Sequence, residues 1–497
     1  MKNVEDIYTL SSMQQGMLFH ALYAPKQGVY FEQISCTLHR INFLGFKQAW
    51  QQVVARHAVL RTSFIWDGLD EPLQVVHKQV NLPWVESDWQ HLSLTQQQKQ
   101  LEAFLEADRQ KGLELNQAPL MRFALMQIEP TSYYFIWSHH HLLLDGWSSS
   151  IIFKEVFAFY ESITEGKDLY LETPRPYRDY IAYLQQQDLS QAKVFWQQAL
   201  KHFTMPTPLM VDKHEGKRSH QQTYKEQYLC FRATTTTALK SFAIQHHLTL
   251  NTLVQGAWAL LLSRYCGQQD VVFGATVSGR LPTLVGAESM VGLFINTLPV
   301  RVQISAEDRL LPWLHQLQVQ QVEWQQYSYT PLVEIHRWSD IQRGMPLFES
   351  IVVFENYPVD TSLQQRNTSI EISNIRGFER TNYPLTVIVA PGSELSVRFS
   401  YDADRFDSDM ISRMLGHFQT LLTGIVANPQ ASIWELPLLS AAEQRQLIFE
   451  WNDTKGEETS LCIHQLFETQ VEKTPDSVAV SFFESQLTYQ QLNDRSN

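Results

Sequence analysis

Residues 138–148 read SHHHLLLDGWS. Just before them, residues 133–141 hold aromatic and β-branched side chains at strand spacing, and residues 120–128 form a second run of that kind. The short segment EPTS, 129–132, joins the two as an antiparallel pair. Beyond Asp145-Gly146 the apolar spacing switches to a helical period, predicting a helix over about 149–163. Gly146 permits a backbone turn that other residues resist. A strand that stops, turns and feeds a helix is a building block of layered α/β folds.

Three consecutive histidines invite a metal reading, but successive strand side chains point to opposite faces. His139, His140 and His141 therefore do not readily share one ion, no second ligand cluster is apparent, and no metal is expected. Buried imidazoles at a strand end are the plainer reading. The sharper one takes His141 and Asp145 together, four residues apart and followed by Gly146. A carboxylate at the turn can hold an arginine or the local backbone and so fix the ring. A histidine placed there suits proton handling near neutral pH.

The same alternation continues outward. Helices are expected over 13–23, 43–57 and 101–111, and strands over 30–38 and 73–80. LETPRPY, 171–177, has two prolines and reads as a linker. After it come helices over 180–187, 191–201, 249–265, 313–327 and 407–427. Strands are expected over 225–231, 270–277, 297–302, 349–354, 385–389 and 395–401. Two α/β lobes follow, 1–175 and 176–440. From residue 441 a helix, a charged stretch and two short strands form a different third segment, 441–497, which looks cut within a following domain.

Length supports more than one core: 497 residues exceed what a single hydrophobic core usually organises. A hydrophobic fraction of 44% and a charged fraction of 18% exclude a wholly disordered chain. The net charge of −13 disfavours nucleic-acid binding. Cys36, Cys230, Cys266 and Cys462 are far apart and contain no C-x-x-C pair, so reduced thiols are expected. The acidic N-terminus lacks a secretory pattern, and no apolar run reaches the length of a membrane span. A soluble, cytoplasmic protein is expected.

HHLLLDG resembles the active-site motif of the condensation domains of nonribosomal peptide synthetases; its H-x-x-x-D core is shared with chloramphenicol acetyltransferases. Further strings fit that family in order. LSSMQQGMLFH (10–20), RHAVLRTSF (56–64) and PYRDYIAYL (176–184) are similar to its first, second and fourth motifs. FGATVSGR (273–280) with VGLFINTLPVR (291–301) resembles the fifth, and MPLFESIVVFEN (345–356) the last. YSYTPLVEI (327–335) matches the sixth weakly and lacks its usual His-Gln-Asp start. HQLFETQVEKTPDSVAV and LTYQQLN, in the tail, look like the opening of an adenylation domain.

The resemblance implies two chloramphenicol-acetyltransferase-like lobes in a V-shaped pseudo-dimer around a central tunnel. It implies an upstream carrier protein bringing a donor thioester and a downstream carrier bringing an acceptor amine. Each substrate hangs on the 4'-phosphopantetheine of its carrier, and the domain itself binds no cofactor. His141 is implied as the central residue, either a general base or a group that orients the amine. His140 reads as a packed neighbour. Asp145 is implied as structural, paired with Arg61 or Arg280, and the Gly146 N–H as a candidate oxyanion donor. Trp147, Ser148 and Asn296 are candidates for the tunnel wall; helix capping for Ser148 and a turn-stabilising amide for Asn296 are their plainer roles. GMLFH and the WS after HHLLLDG favour the subtype joining an L-donor to an L-acceptor. An epimerization domain, a silent carrier-docking platform and an acyl-CoA transferase are the competing readings.

Overall fold

A computed structural model describes residues 3–25, 28–209, 224–281, 283–356, 370–454 and 461–497. Contacts divide the chain into Met1–Leu438 and Leu439–Asn497. Within the first unit lie two mixed α/β lobes.

The first lobe is built on a five-stranded sheet, in the order Glu371–Phe378, Phe31–His39, Ser132–His140, Met121–Glu129, Trp84–Asp88. Its centre is the predicted hairpin, Met121–Glu129 against Ser132–His140, with Phe123, Leu125, Phe135 and Trp137 buried. Helices Phe43–Arg56 and Gly146–Glu165 pack against each other. Phe46 and Trp50 of the former reach the ring of Phe135. The second lobe has a six-stranded sheet, Ile295–Gln303, Asp270–Ser278, Ser350–Phe354, Leu385–Ala390, Ser396–Asp402, Tyr224–Cys230. The helix Leu250–Cys266 runs through its core, buried from Thr252 to Ser263 and packed on Ser408–Ala427. A helix apolar all round belongs inside a core. A small sheet of Val4–Thr9, Leu73–His77 and Thr62–Ile65 completes the unit.

The lobes interlock more than a division after residue 175 anticipates. Glu371–Phe378, late in the chain, pairs antiparallel with Phe31–His39 and becomes the edge of the first sheet. Its sequence, EISNIRGF, lacks clean alternation. The ladder slips between Ser373 and Arg376, and Asn374 has φ +53°. A bulge of this kind erases the period-two signal by which a strand is read. Residues 284–294 also pack into the first core, together with Tyr177 and Tyr180. Tyr177 Oη donates to the Leu293 carbonyl at 2.6 Å, and the Tyr180 ring lies 4.5 Å from that of Phe294. The predicted linker thus ends inside the first lobe's core.

The unit Leu439–Asn497 contains the helix Ile463–Lys473, a hairpin of Val478–Phe482 and Ser485–Thr488, and the helix Tyr489–Ser496. Among the described residues no helix is long and apolar enough to cross a membrane.

Candidate active site

His141 follows directly on the strand Ser132–His140 and continues its ladder by one bond, N–H to Tyr30 O at 2.9 Å. The next residues, Leu142, Leu143 and Leu144, are fully buried and anchor the turn. Gln14, also buried, donates from Nε2 to Leu142 O at 2.9 Å. His141 Nδ1 lies 2.8 Å from the Leu144 carbonyl, so Nδ1 carries the proton. The lone pair of the neutral ring is therefore on Nε2. His141 lines a cavity of about 770 Å³ whose walls come from both lobes, among them Trp147 and Gly146 on one side and Ile351, Glu355 and Tyr383 on the other.

Two carboxylates face Nε2 that sequence reasoning missed. Glu32 Oε1 lies 3.1 Å away and Glu379 Oε1 3.7 Å. Glu32 sits on the neighbouring strand directly opposite His139, which lies on the same face as His141. Glu379 comes from the chain leaving the crossover strand. These three side chains offer ligand atoms within 4.8 Å of one another, the one such group among the described residues. The only sequence signal for Glu32 is an acid inside the otherwise apolar start of a strand; Glu379 carries none.

Burial raises the Glu32 carboxyl to about 8, against the opposing pull of His141. Burial by itself would lower His141, but Glu32, Glu379, the Leu144 carbonyl and Asp145 outweigh it and hold the imidazole above its ordinary value. His139 and His140 are different: burial first, then the neighbouring imidazole charge, pushes each to about 3, so both stay neutral. His140 Nδ1 accepts from Leu142 N at 3.2 Å. His139 stacks edge-on against Trp137 at 4.3 Å.

Asp145 is the N-cap of Gly146–Glu165 and organises the turn. Its Oδ1 accepts from Ser148 N at 2.8 Å and its Oδ2 from Phe294 N at 3.0 Å. Arg280 Nη2 reaches Oδ1 at 3.2 Å, with both side chains buried. Of the two arginines put forward, the structure thus pairs Arg280 with Asp145 and not Arg61. Arg61 closes a 3₁₀ turn that faces the small sheet, where Nη1 meets Glu5 at 2.6 Å and Nε donates to Val54 O.

Two further expectations need correction. Ser148 is fully buried and does not line the cavity. It clasps Gly292, donating to its carbonyl at 2.7 Å and accepting from its N–H at 3.1 Å, and also accepts from Arg280 at 2.8 Å. Asn296 is saturated by backbone: Nδ2 donates to Ser328 O and Thr330 O, both at 2.8 Å, and Oδ1 accepts from Thr297 N. It holds a loop and is not part of the cavity wall. Trp147 does line the cavity, its indole N–H donating to Glu288 O at 3.0 Å. The Gly146 N–H lies in the first turn of its helix, where backbone donors have no partner within the helix.

Gly292 leaves no room for a side chain, since a Cβ would stand 2.0 Å from Tyr177 Cδ2. Gly292→Ala should therefore separate the Ser148 clasp from the Tyr177 packing. Overpacking of this kind costs about 1–3 kcal/mol, so a lowered melting temperature is expected; a melt matching the parent would contradict this close approach.

A family model for the condensation domain matches residues 4–448. The chain belongs to the condensation domain family. Among curated relatives it is 46% identical over 497 residues to a linear gramicidin synthase of Brevibacillus parabrevis, covering 100% of this chain and 6% of that protein. It is 37% identical to bacitracin synthase 3 of Bacillus licheniformis, covering 99% of this chain and 8% of that one. The chain thus spans a small part of the curated relatives it matches. Its fold is similar to that of holo-AB3403, a four-domain nonribosomal peptide synthetase, with TM-score 0.77, 19% identity and coverage of 98% and 38%. The starter condensation domain of rhizomide synthetase RzmA matches with TM-score 0.71, 20% identity and coverage of 88% and 100%. Condensation domains form peptide bonds, an acyl transfer, and that chemistry is this domain's class.

Proposed function

We propose that this domain joins an L-configured donor, held as a thioester on an upstream carrier, to an L-configured acceptor amine on a downstream carrier. Both substrates arrive on 4'-phosphopantetheine arms. The observation that supports it best is the His141 lone pair, held by the Nδ1 bond to Leu144 beside a cavity walled by both lobes.

An α-amine has a pKa of roughly 7.7–8.0, so a useful fraction is neutral at cellular pH. The neutral nitrogen attacks the thioester carbonyl. The new N–C bond pushes charge onto oxygen, and the Gly146 N–H, on the cavity wall, is the candidate donor for it. His141 Nε2 takes the proton that the nitrogen must shed, or holds the amine by that hydrogen in the attacking orientation. Collapse breaks the C–S bond, and the thiolate leaves with a proton. The proton that Nε2 takes from the nitrogen is the one it passes to the leaving sulfur.

The tail supports an adenylation domain following this one, through its HQLFETQVEKTPDSVAV and LTYQQLN strings. A cytoplasmic setting fits the reduced-thiol reading of the four cysteines.

The stereochemical part rests on GMLFH and on Trp147-Ser148. Inverting the donor Cα exchanges its side chain and amine, so a wall clashes or a buried polar group loses its partner. That is worth roughly 1–3 kcal/mol, about ten- to a hundredfold in rate. The test loads the upstream carrier with L- or D-donor, loads the downstream carrier with an L-acceptor, and quenches early. Dipeptide mainly from the L-donor is expected. Equal use of both removes the stereochemical assignment; solvent deuterium at the donor Cα without dipeptide points to epimerization.

A further inference from the structure

Carboxylates are an unusual companion for a lone pair meant only for an amine. We infer that Glu32, His141 and Glu379 form a binding site for a divalent transition-metal ion of the zinc class, reached from the cavity between the lobes.

The two separations from Nε2 are closer to those around an ion than to those around a bound ammonium. Ligands at 2.0–2.1 Å around a tetrahedral ion lie about 3.4 Å apart. Acceptors around an ammonium, at hydrogen-bond distance, lie about 4.7 Å apart. The observed separations from Nε2 are 3.1 Å to Glu32 and 3.7 Å to Glu379, on either side of the first value. One imidazole with two carboxylates suits zinc, cobalt or nickel better than magnesium or calcium, which prefer oxygen alone. Two carboxylates also balance the charge of the ion.

The surroundings hold each ligand by the atom the ion would not use. His141 Nδ1 donates to Leu144 O, which fixes the tautomer with Nε2 free to ligate. Glu379 turns Oε2 toward Arg398, 3.9 Å away, and Oε1 toward His141. Glu32 turns Oε2 toward His139 Nε2 at 3.4 Å. His139 is wholly buried, and neither ring nitrogen has a hydrogen-bond partner among the described residues. Such an orphan is costly without a purpose, and its Nε2 is aimed at this carboxylate. All three side chains line the cavity, from which an ion would enter. An ion there engages the Nε2 lone pair, so metal would block the condensation chemistry; that consequence rests on the proposed function, whereas the site does not.

The test uses the full chain after chelator treatment, titrated with Co²⁺ alone. One equivalent should produce the visible absorption of four-coordinate cobalt, and Zn²⁺ should bleach it. Glu379→Gln, on the more open side of the site, should weaken Co²⁺ binding at least about tenfold, and His141→Ala should remove the band, with melts confirming that both fold. No band, or a band unchanged in both variants, overturns the site. In the same preparation stoichiometric Zn²⁺ should stop condensation and chelator restore it; full activity in zinc-saturated protein overturns the engagement of His141. If chelated parent protein never condenses while the cobalt band behaves as described, the functional reading fails and the site stands.

Discussion

Replacing His141 with alanine is expected to cut carrier-to-carrier condensation by at least about a hundredfold, the lower end of what a positioned acid–base group contributes, while the melting temperature moves little. The ring is held through Nδ1 by Leu144 O and turns Nε2 toward Glu32 and the cavity, so it anchors no other part of the fold. Its removal therefore leaves the packing of Leu142, Leu143 and Leu144 in place. It also leaves two acids, Glu32 and Glu379, with less positive charge near them, but both line the cavity and are partly accessible to water. The neighbours cannot substitute. His140 is turned to its own backbone at Leu142, and His139 is sealed against Trp137. Single-turnover transfer between loaded carriers measures the effect, with a thermal melt beside it. Dipeptide formation within a few-fold of the parent would sink the assignment of His141; a collapse of the melt would show instead that the ring is structural.

The parts of this site that were legible in the sequence are those within one short span. A strand, a turn and a capped helix between residues 132 and 165 leave a local signature, because hydrophobic period, glycine and N-cap all act over a few residues. The carboxylates around His141 leave none. Glu32 meets His139 across a strand pair separated by about a hundred positions, and Glu379 arrives through a crossover whose strand is bulged at Asn374. Pairing Asp145 with an arginine was chemically sound, yet two motif arginines were equally suitable in type. Only the return of residues 284–294 to the first core selects Arg280, since its Nη1 is held by the Met290 carbonyl at 2.9 Å beside Asp145. Asn296 shows the converse: its string suggested substrate contact, whereas the folded loop uses its whole amide.

Asp145→Ala should lower stability by about 3–5 kcal/mol, the usual cost of leaving a buried partner charge alone, and lose activity as a consequence. Three separate losses arise from one carboxylate. Arg280 keeps its charge in a site where both members of the pair are almost inaccessible. The Phe294 N–H loses its acceptor, and so does the Ser148 N–H, which is the cap of the helix. Asp145→Asn divides these terms. Asparagine caps about as well as aspartate, so the Ser148 bond survives, while the charge opposite Arg280 is gone. It should therefore fall between parent and alanine variant. Adding Arg280→Gln to Asp145→Asn should recover part of the loss, because the two residues act as a coupled pair and their effects are not additive. Thermal and urea melts of the parent, both single variants and the double variant give the coupling directly. Melts unchanged by Asp145→Ala, together with lost condensation, would move Asp145 from the scaffold to the reacting atoms; additive losses in the double variant would remove Arg280 as its partner.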